Sequence, residues 1–251
     1  MMSKVEDLAE VLTRYPMSFC TACFFGNPKH AEGKVNNGTL SLLEYNGERY
    51  GITNYHVIAE YRRRLLEDSE LQLYFGGKRV DLDSVLFDED EGLDLCIFYL
   101  EEYAESDFAM DGEVPTQFFP IGDLHYVTRL AAGDFVLMGG YPGVWRVKLS
   151  ALELQFDTLS SGGTEVADVT DKNIRCELKV DQCIVTSKHG HEFPENIGGL
   201  SGGPVFHHSL TQAGISKFEF VGVIYEHMIQ YDSILVRPAS LLDEKMWIKR
   251  G

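Results

Sequence analysis

An all-β fold of antiparallel barrels or sandwiches is what this 251-residue sequence predicts. Three observations carry that expectation: apolar runs are short and strand-like, turn signals separate them, and helical spacing is confined to the two ends and one insertion. With 44 % hydrophobic and 12 % aromatic residues, the chain can bury a sizeable core, as one large domain or as two halves of about 100 residues each.

Valine and leucine at helical spacing in residues 3–14, stopped by Pro16, predict an N-terminal helix over residues 1–16. The runs "MSFCTACFF", "TLSLLEY", "RYGITNYHVI", "LQLYF", "RVDLDSVLF" and "LDLCIFYL" then read as strands of a first half, residues 17–112. Asn46-Gly47 is a hairpin turn inside it, and a helical insertion follows Ile58. The stretch from Met110 to Gly122, with Pro115 and Pro120, reads as the connector. A second half, residues 113–240, holds "DFVLMGGYPG", "VWRVKLSALELQF", "NIRCELKV", "QCIVTS", "PVFHH", "FEFVGVIYEH" and "SILVRP", and a short C-terminal helix occupies residues 241–251. "SSGGTEVADVTDKN", residues 160–173, reads as an exposed loop.

Charge narrows the partners. Lys plus Arg number 22 against 39 Asp plus Glu, a net charge of −17, which argues against nucleic acid or an anionic membrane surface as a partner. The one basic run, Arg62-Arg63-Arg64, reads as a solvated helix face. The N-terminus has no long apolar stretch and carries acids within its apolar pattern, so neither a signal peptide nor a membrane span is expected, and the protein is expected to be cytoplasmic. Five cysteines are then expected to remain thiols. Cys20 and Cys23 have CxxC spacing but lie in an apolar run with no second pair, so buried strand positions are favoured over zinc or redox chemistry. His189, His191, His207 and His208 lack acidic or thiol companions at ligand spacing, and no metal or other cofactor is expected.

Chemistry concentrates in "NIGGLSGGPVF", residues 196–206, where four glycines and a proline surround Ser201. Such a stretch shapes a loop running into a strand, although an ordinary β-turn would use Gly-Gly-Pro as well. A serine hydroxyl is a poor nucleophile unless a base removes its proton and a third group holds that base. Among eight histidines, His56 stands where an apolar strand gives way to the helical insertion, held by a rigid element yet able to reach a cleft. Among the acids, Asp94 lies inside the apolar run "LDLCIFYL", where an ionised carboxylate needs a donor such as an imidazole N–H or backbone amides.

In the order His56, Asp94, Ser201, these segments resemble a known family. "GLSGGPVF" resembles the nucleophile motif of the trypsin and chymotrypsin superfamily, "TNYHVI" its histidine motif, and "LDLCIF" its aspartate strand. "VLMGGYPG" and "VGVIYEH" resemble strands of bacterial members such as the high-temperature-requirement proteases, and the resemblance spans roughly residues 17–240. It implies a double antiparallel β-barrel with the active site between the barrels. Ser201 would be the nucleophile, His56 the base and then acid, and Asp94 the group orienting His56. The backbone N–H groups of Gly199 and Ser201 would form the oxyanion hole, worth about 3 to 4 kcal/mol per donor. Ser160-Ser161 lacks the flanking glycine and proline and is set aside.

Departures from the pattern carry information too. Leu200 stands where the family usually has Asp or Asn, which implies no activation by a newly cut N-terminal amine. Glu195 matches the bottom of the pocket for the residue before the scissile bond, where a carboxylate would favour Arg or Lys in a protein or peptide substrate. Tyr225, Glu226 and His227 are expected at the pocket wall, with Glu226 an alternative source of charge, and a regulatory protein partner is expected in a bacterial defence or stress setting. The expected function is a cytosolic serine endopeptidase; the alternatives are a protease-fold binding protein without turnover and a non-peptide esterase.

Overall fold

The computed structural model describes residues 11–29, 35–109, 115–148, 154–179, 183–186 and 197–250. Residues 11–14 are helical and pass directly into a 3-10 turn, Tyr15–Phe19. The α-helical residues end two before Pro16, which sits in the first turn of the 3-10 element, where its fixed φ is tolerated. Residues 1–10 of the expected helix lie outside the described residues.

Two sheets make up the molecule. The first contains β1 (Cys20–Gly26), β2 (Asn36–Tyr45), β3 (Glu48–Thr53), β4 (Gln72–Phe75), β5 (Lys78–Val80), β6 (Leu86–Asp90) and β7 (Leu95–Tyr99) in the order β5-β4-β1-β2-β3-β7-β6. Asn46 and Gly47 join β2 to β3 with φ values of 54° and 82°, the paired positive φ that lets a two-residue turn follow the strand twist. A helix, Tyr55–Leu65, follows β3 directly. Past the connector, β8 (Phe119–Pro120) returns to pair parallel with β2, so this segment completes the first sheet before the second begins.

The second sheet is built from β9 (Phe135–Gly140), β12 (Thr158–Val169), β13 (Ile174–Glu177), β14 (Cys183–Thr186), β15 (Pro204–Leu210), β16 (Ser216–Met228) and β17 (Ser233–Pro238), with the hairpin β10 (Arg146–Lys148) and β11 (Leu154–Phe156) beside it. The order β13-β17-β16-β15-β9-β12 is closed by pairing of β13 with β12, which makes a barrel. The fold is therefore all-β, with one open and one closed antiparallel barrel.

Three apolar clusters match that plan. One fills the first sheet around Phe25, Phe75 and Phe98, and one fills the closed barrel around Val136, Val205 and Val236. The third lies between the two, where Phe206 of β15 touches Phe19, Phe119 and Phe220 at centroid distances of 5.7, 4.7 and 5.9 Å. Cys20 and Cys23 are fully buried in β1, where the lack of solvation drives both thiols well above the ordinary cysteine range.

Two expectations are overturned. Residues 160–173 are not an exposed loop: residues through Val169 form the greater part of β12, in which Ser160, Ser161 and Thr164 are buried. The small residues answer a packing need, because a side chain at Gly162 would collide with Thr13 Oγ1 at 2.2 Å, and the ladder with β9 shifts register at this point. The C-terminal helix is reduced to one 3-10 turn, Ala239–Leu241. After it, Asp243 Oδ1 accepts from the amides of Lys245 and Trp247 at 2.8 and 2.9 Å, a local bond that competes with helix, and Met246 takes a φ of 63°. Leu242 and Ile248 then pair as an isolated bridge.

Candidate active site

His56 is the second residue of the helix Tyr55–Leu65, so its backbone N–H is among those that an α-helix leaves without an internal partner. Asp94 supplies the partner: Oδ1 accepts from His56 N at 2.8 Å while Oδ2 meets His56 Nδ1 at 2.8 Å. One carboxylate thus caps the helix and fixes the imidazole ring. A carboxylate on Nδ1 places the proton there and leaves the Nε2 lone pair free, the tautomer a general base requires. The His56 side chain is 52 % exposed and that of Asp94 20 %, so the ring edge faces solvent over a more sheltered acid.

Asp94 is not inside the apolar strand, as its sequence neighbours suggest, but at the end of the turn that precedes β7. Its φ is 53°, a left-handed conformation that Asp and Asn tolerate better than most residues, and its amide donates to Glu91 O at 3.2 Å. Asn54 Nδ2 donates to the Asp94 carbonyl at 2.9 Å and ties that turn to the end of β3.

The serine loop runs from Ile197 to Gly203. Gly143 N donates to Gly198 O at 2.6 Å, and in a trans peptide the following N–H, that of Gly199, points opposite to that carbonyl. Among the described residues neither the Gly199 nor the Ser201 amide has an acceptor. Gly199 has a φ of 103°, and a Cβ there would sit 2.5 Å from Tyr141 O and 2.6 Å from Gly143 N, so only glycine gives this turn. The Ser201 hydroxyl makes no hydrogen bond to His56 in this structure. Leu200 is buried in the closed barrel, which accounts for an apolar residue directly before the serine.

Sequence reasoning missed what holds this loop. Thr39 and Ser41 of β2 are fully buried, and buried hydroxyls need partners. Thr39 Oγ1 donates to Gly199 O at 2.8 Å and accepts from Tyr141 N at 3.0 Å, while Thr39 N donates to Ser201 O at 2.7 Å. Ser41 Oγ donates to Gly202 O at 2.6 Å, and Thr53 Oγ1 at the end of β3 donates to Thr39 O at 2.7 Å. Gly38 marks the meeting point: a Cβ on it would lie 2.8 Å from Val57, the neighbour of His56, and 3.1 Å from Ser201 O. The sequence signal was a pair of hydroxyls at alternate positions beside the leucines of β2.

Of the expected pocket residues, Glu195 lies outside the described residues, as do His189 and His191. Tyr225, Glu226 and His227 follow the point where β16 leaves β15, and the ladder with β17 shifts register between Ile224 and Glu226. Tyr225 does not stand as a free wall. Its hydroxyl donates to Asn173 Oδ1 at 2.9 Å, and Arg237 lies over its ring at 3.8 Å. Glu226 is exposed. His207 and His208 have separate partners, Tyr126 Oη and Ser216 Oγ, on opposite faces of β15. No group of three metal-ligating side chains occurs among the described residues, and among them no helix is long and apolar enough to cross a membrane.

Burial pulls His227 below its ordinary value of 6.5, with Asp232 opposing, and its Nδ1 is buried without a partner. In the window beneath 6.5 the unfolded chain then binds more protons than the folded one, so stability rises with pH there and this contribution is complete above it. Acidification below 6.5 is expected to lower Tm, and His227→Asn to reduce that loss. Since His208 is lowered by burial as well, the difference between the two pH–Tm curves is the quantity to measure; superimposable curves would contradict the assignment.

The fold is a pair of antiparallel β-barrels, one open and one closed. No family model and no curated protein matches the chain. Among solved structures it is similar to the active form of the Rv3671c protease from M. tuberculosis, with 15 % identity, 96 % of this chain and 88 % of that chain covered, and a TM-score of 0.43. It is also similar to Deg5, with 15 % identity, 94 % and 91 % coverage, and a TM-score of 0.42.

Proposed function

We propose that this chain is a serine endopeptidase in which Ser201, His56 and Asp94 act in sequence on a protein or peptide substrate. The observation that carries the reading is the two-point grip of Asp94 on His56, which leaves Nε2 as a base. Ser201 Oγ attacks the scissile carbonyl as its proton passes to Nε2; the imidazolium forms against Asp94 and returns the proton to the leaving amine. Water then repeats the cycle on the acyl-enzyme. The unpaired amides of Gly199 and Ser201 receive the oxyanion. Beyond Val223 no described strand pairs with the β15 side of β16, so an extended substrate has an edge to join, with the exposed Glu226 on it favouring basic side chains. A cytosolic setting, a regulating partner and a role in defence or stress belong to the same proposal.

The test is reaction of the purified protein with a serine-reactive phosphonate, read by intact mass, beside Ser201→Ala and His56→Ala. Single labelling of the wild type alone supports the reading. A folded wild type that stays unlabelled, like its variants, would instead support a binding protein on a protease fold, the reading favoured by the missing Ser201–His56 bond.

A further inference from the structure

The C-terminal segment closes a cleft that the proposed reaction does not use. Arg250 bonds to Asp88, and Ile248 N donates to Asp88 Oδ2 at 2.9 Å, which straps the segment to β6. The cleft has a volume of about 520 Å³ and includes Tyr50, Phe87, Tyr99 and Trp247 in its lining. Tyr50 and Tyr99 are a cross-strand pair on β3 and β7, with ring centroids 5.7 Å apart. Phe87 falls at the register shift between Leu86 and Asp88 and meets Tyr50 at 5.6 Å and Trp247 at 4.5 Å. Tyr50 is the buried floor, while Tyr99 and Trp247 are 38 % and 42 % exposed. Glu48 stands among these rings: its Oε2 accepts from Tyr50 Oη at 2.6 Å and its Oε1 from Tyr99 Oη at 3.4 Å.

We propose that this cleft binds an alkylated ammonium cation, the chemical class of choline and of a trimethylated lysine side chain. Aromatic faces attract a cation through the ring quadrupole, most strongly where water is displaced. Both oxygens of Glu48 already accept from phenol donors, and the carboxylate adds charge beside ring faces that accept no conventional hydrogen bond. That suits a quaternary cation, which donates no hydrogen bond, better than a primary ammonium, which would lose its hydration. A concave site of this volume is of ligand size, and the net charge of −17 favours cationic partners. Lys245 also lines the cleft and opposes the cation.

The test is a titration of the intact chain, followed by calorimetry and by the Trp247 indole signal, with three probes. These are choline, its neutral isostere with a tert-butyl group in place of trimethylammonium, and a short peptide carrying trimethyl-lysine. Choline is expected to saturate the site and the isostere to bind about tenfold more weakly, a gap of about 1.4 kcal/mol. Trp247→Ala is expected to abolish binding, Glu48→Gln to weaken it several-fold and Lys245→Gln to tighten it. Because Trp247→Ala removes a packing contact, the last two exposed substitutions keep the proposal testable if that variant unfolds. A peptide tighter than choline points to a modified protein partner, and a weaker one to a free small cation; both belong to the class. Equal binding of choline and its isostere, absence of saturable binding of choline and the peptide, or a Lys245→Gln variant that binds more weakly would overturn it.

Discussion

Asp94→Asn is expected to slow phosphonylation of Ser201, and hydrolysis of any peptide substrate, by on the order of 10⁴ while leaving the melting temperature nearly unchanged. The size of the effect follows from the two bonds of the carboxylate. His56 N–H donates to Oδ1 and therefore demands an acceptor. An asparagine must put its carbonyl oxygen there, which turns its NH₂ toward His56 Nδ1. That NH₂ is a donor, so Nδ1 becomes the acceptor and the ring proton moves to Nε2, the atom that should take the serine proton. The backbone does not object, since asparagine tolerates the φ of 53° as aspartate does. The tautomer can be read directly from histidine nitrogen chemical shifts. A variant that labels within tenfold of wild type, with the proton still on Nδ1, would remove Asp94 from the mechanism.

The strands, the Asn46-Gly47 turn and the glycine-rich loop were legible because their signals are local: alternation, paired positive φ and a residue set that few other structures need. Where long-range contact decides, reading failed. Ser160, Ser161 and Gly162 have the composition of a loop, yet they lie in β12, with both serines buried, because β9, β13 and β14 pair along it and Thr13 fills the space above Gly162. Asp94 was singled out for an apolar neighbourhood that it does not occupy; what holds it is the helix N-terminus at His56, which no pattern around residue 94 announces. The tail reads as a helix by composition, but Asp243 captures the amides of Lys245 and Trp247, and Asp88 reaches from β6 to take Ile248. Thr39 and Ser41 went unnoticed for the same reason: their partners are more than a hundred residues away, and only the folded chain brings them together.

Those hydroxyls explain why the two barrels must be built to a common register. The serine loop belongs to the closed barrel through Gly202 N to Ile224 O at 2.7 Å and Ile224 N to Gly203 O at 2.8 Å. The carbonyls of Gly199, Ser201 and Gly202 belong to the open one through Thr39 and Ser41. His56 also hangs from the open barrel, three residues beyond Thr53, whose hydroxyl grips Thr39. The Ser201 loop and His56 are thus referred to one strand, β2, and a shift of that strand would carry the loop carbonyls with it.

Gly202→Ala tests that arrangement and is expected to cost at least about 3 kcal/mol, lowering Tm by on the order of 10 °C and abolishing phosphonate labelling. Two terms add. The φ of 89° strains any residue with a Cβ by about 1 to 2 kcal/mol. The added carbon would also stand 2.0 Å from Thr39 O and 2.4 Å from Thr53 Oγ1, atoms of the open barrel that already bond to each other at 2.7 Å. Relief requires β2 and the serine loop to part, which lengthens Thr39 N to Ser201 O and Ser41 Oγ to Gly202 O together. Gly47→Ala isolates the first term, because Gly47 has a similar φ of 82° with nothing within 4 Å of its Cβ position. It should lose only about 1 kcal/mol and label normally. Equal destabilisation by the two substitutions would mean that the barrels yield at Gly202 without cost, and the proposed role of β2 as the shared reference for loop and base would fall.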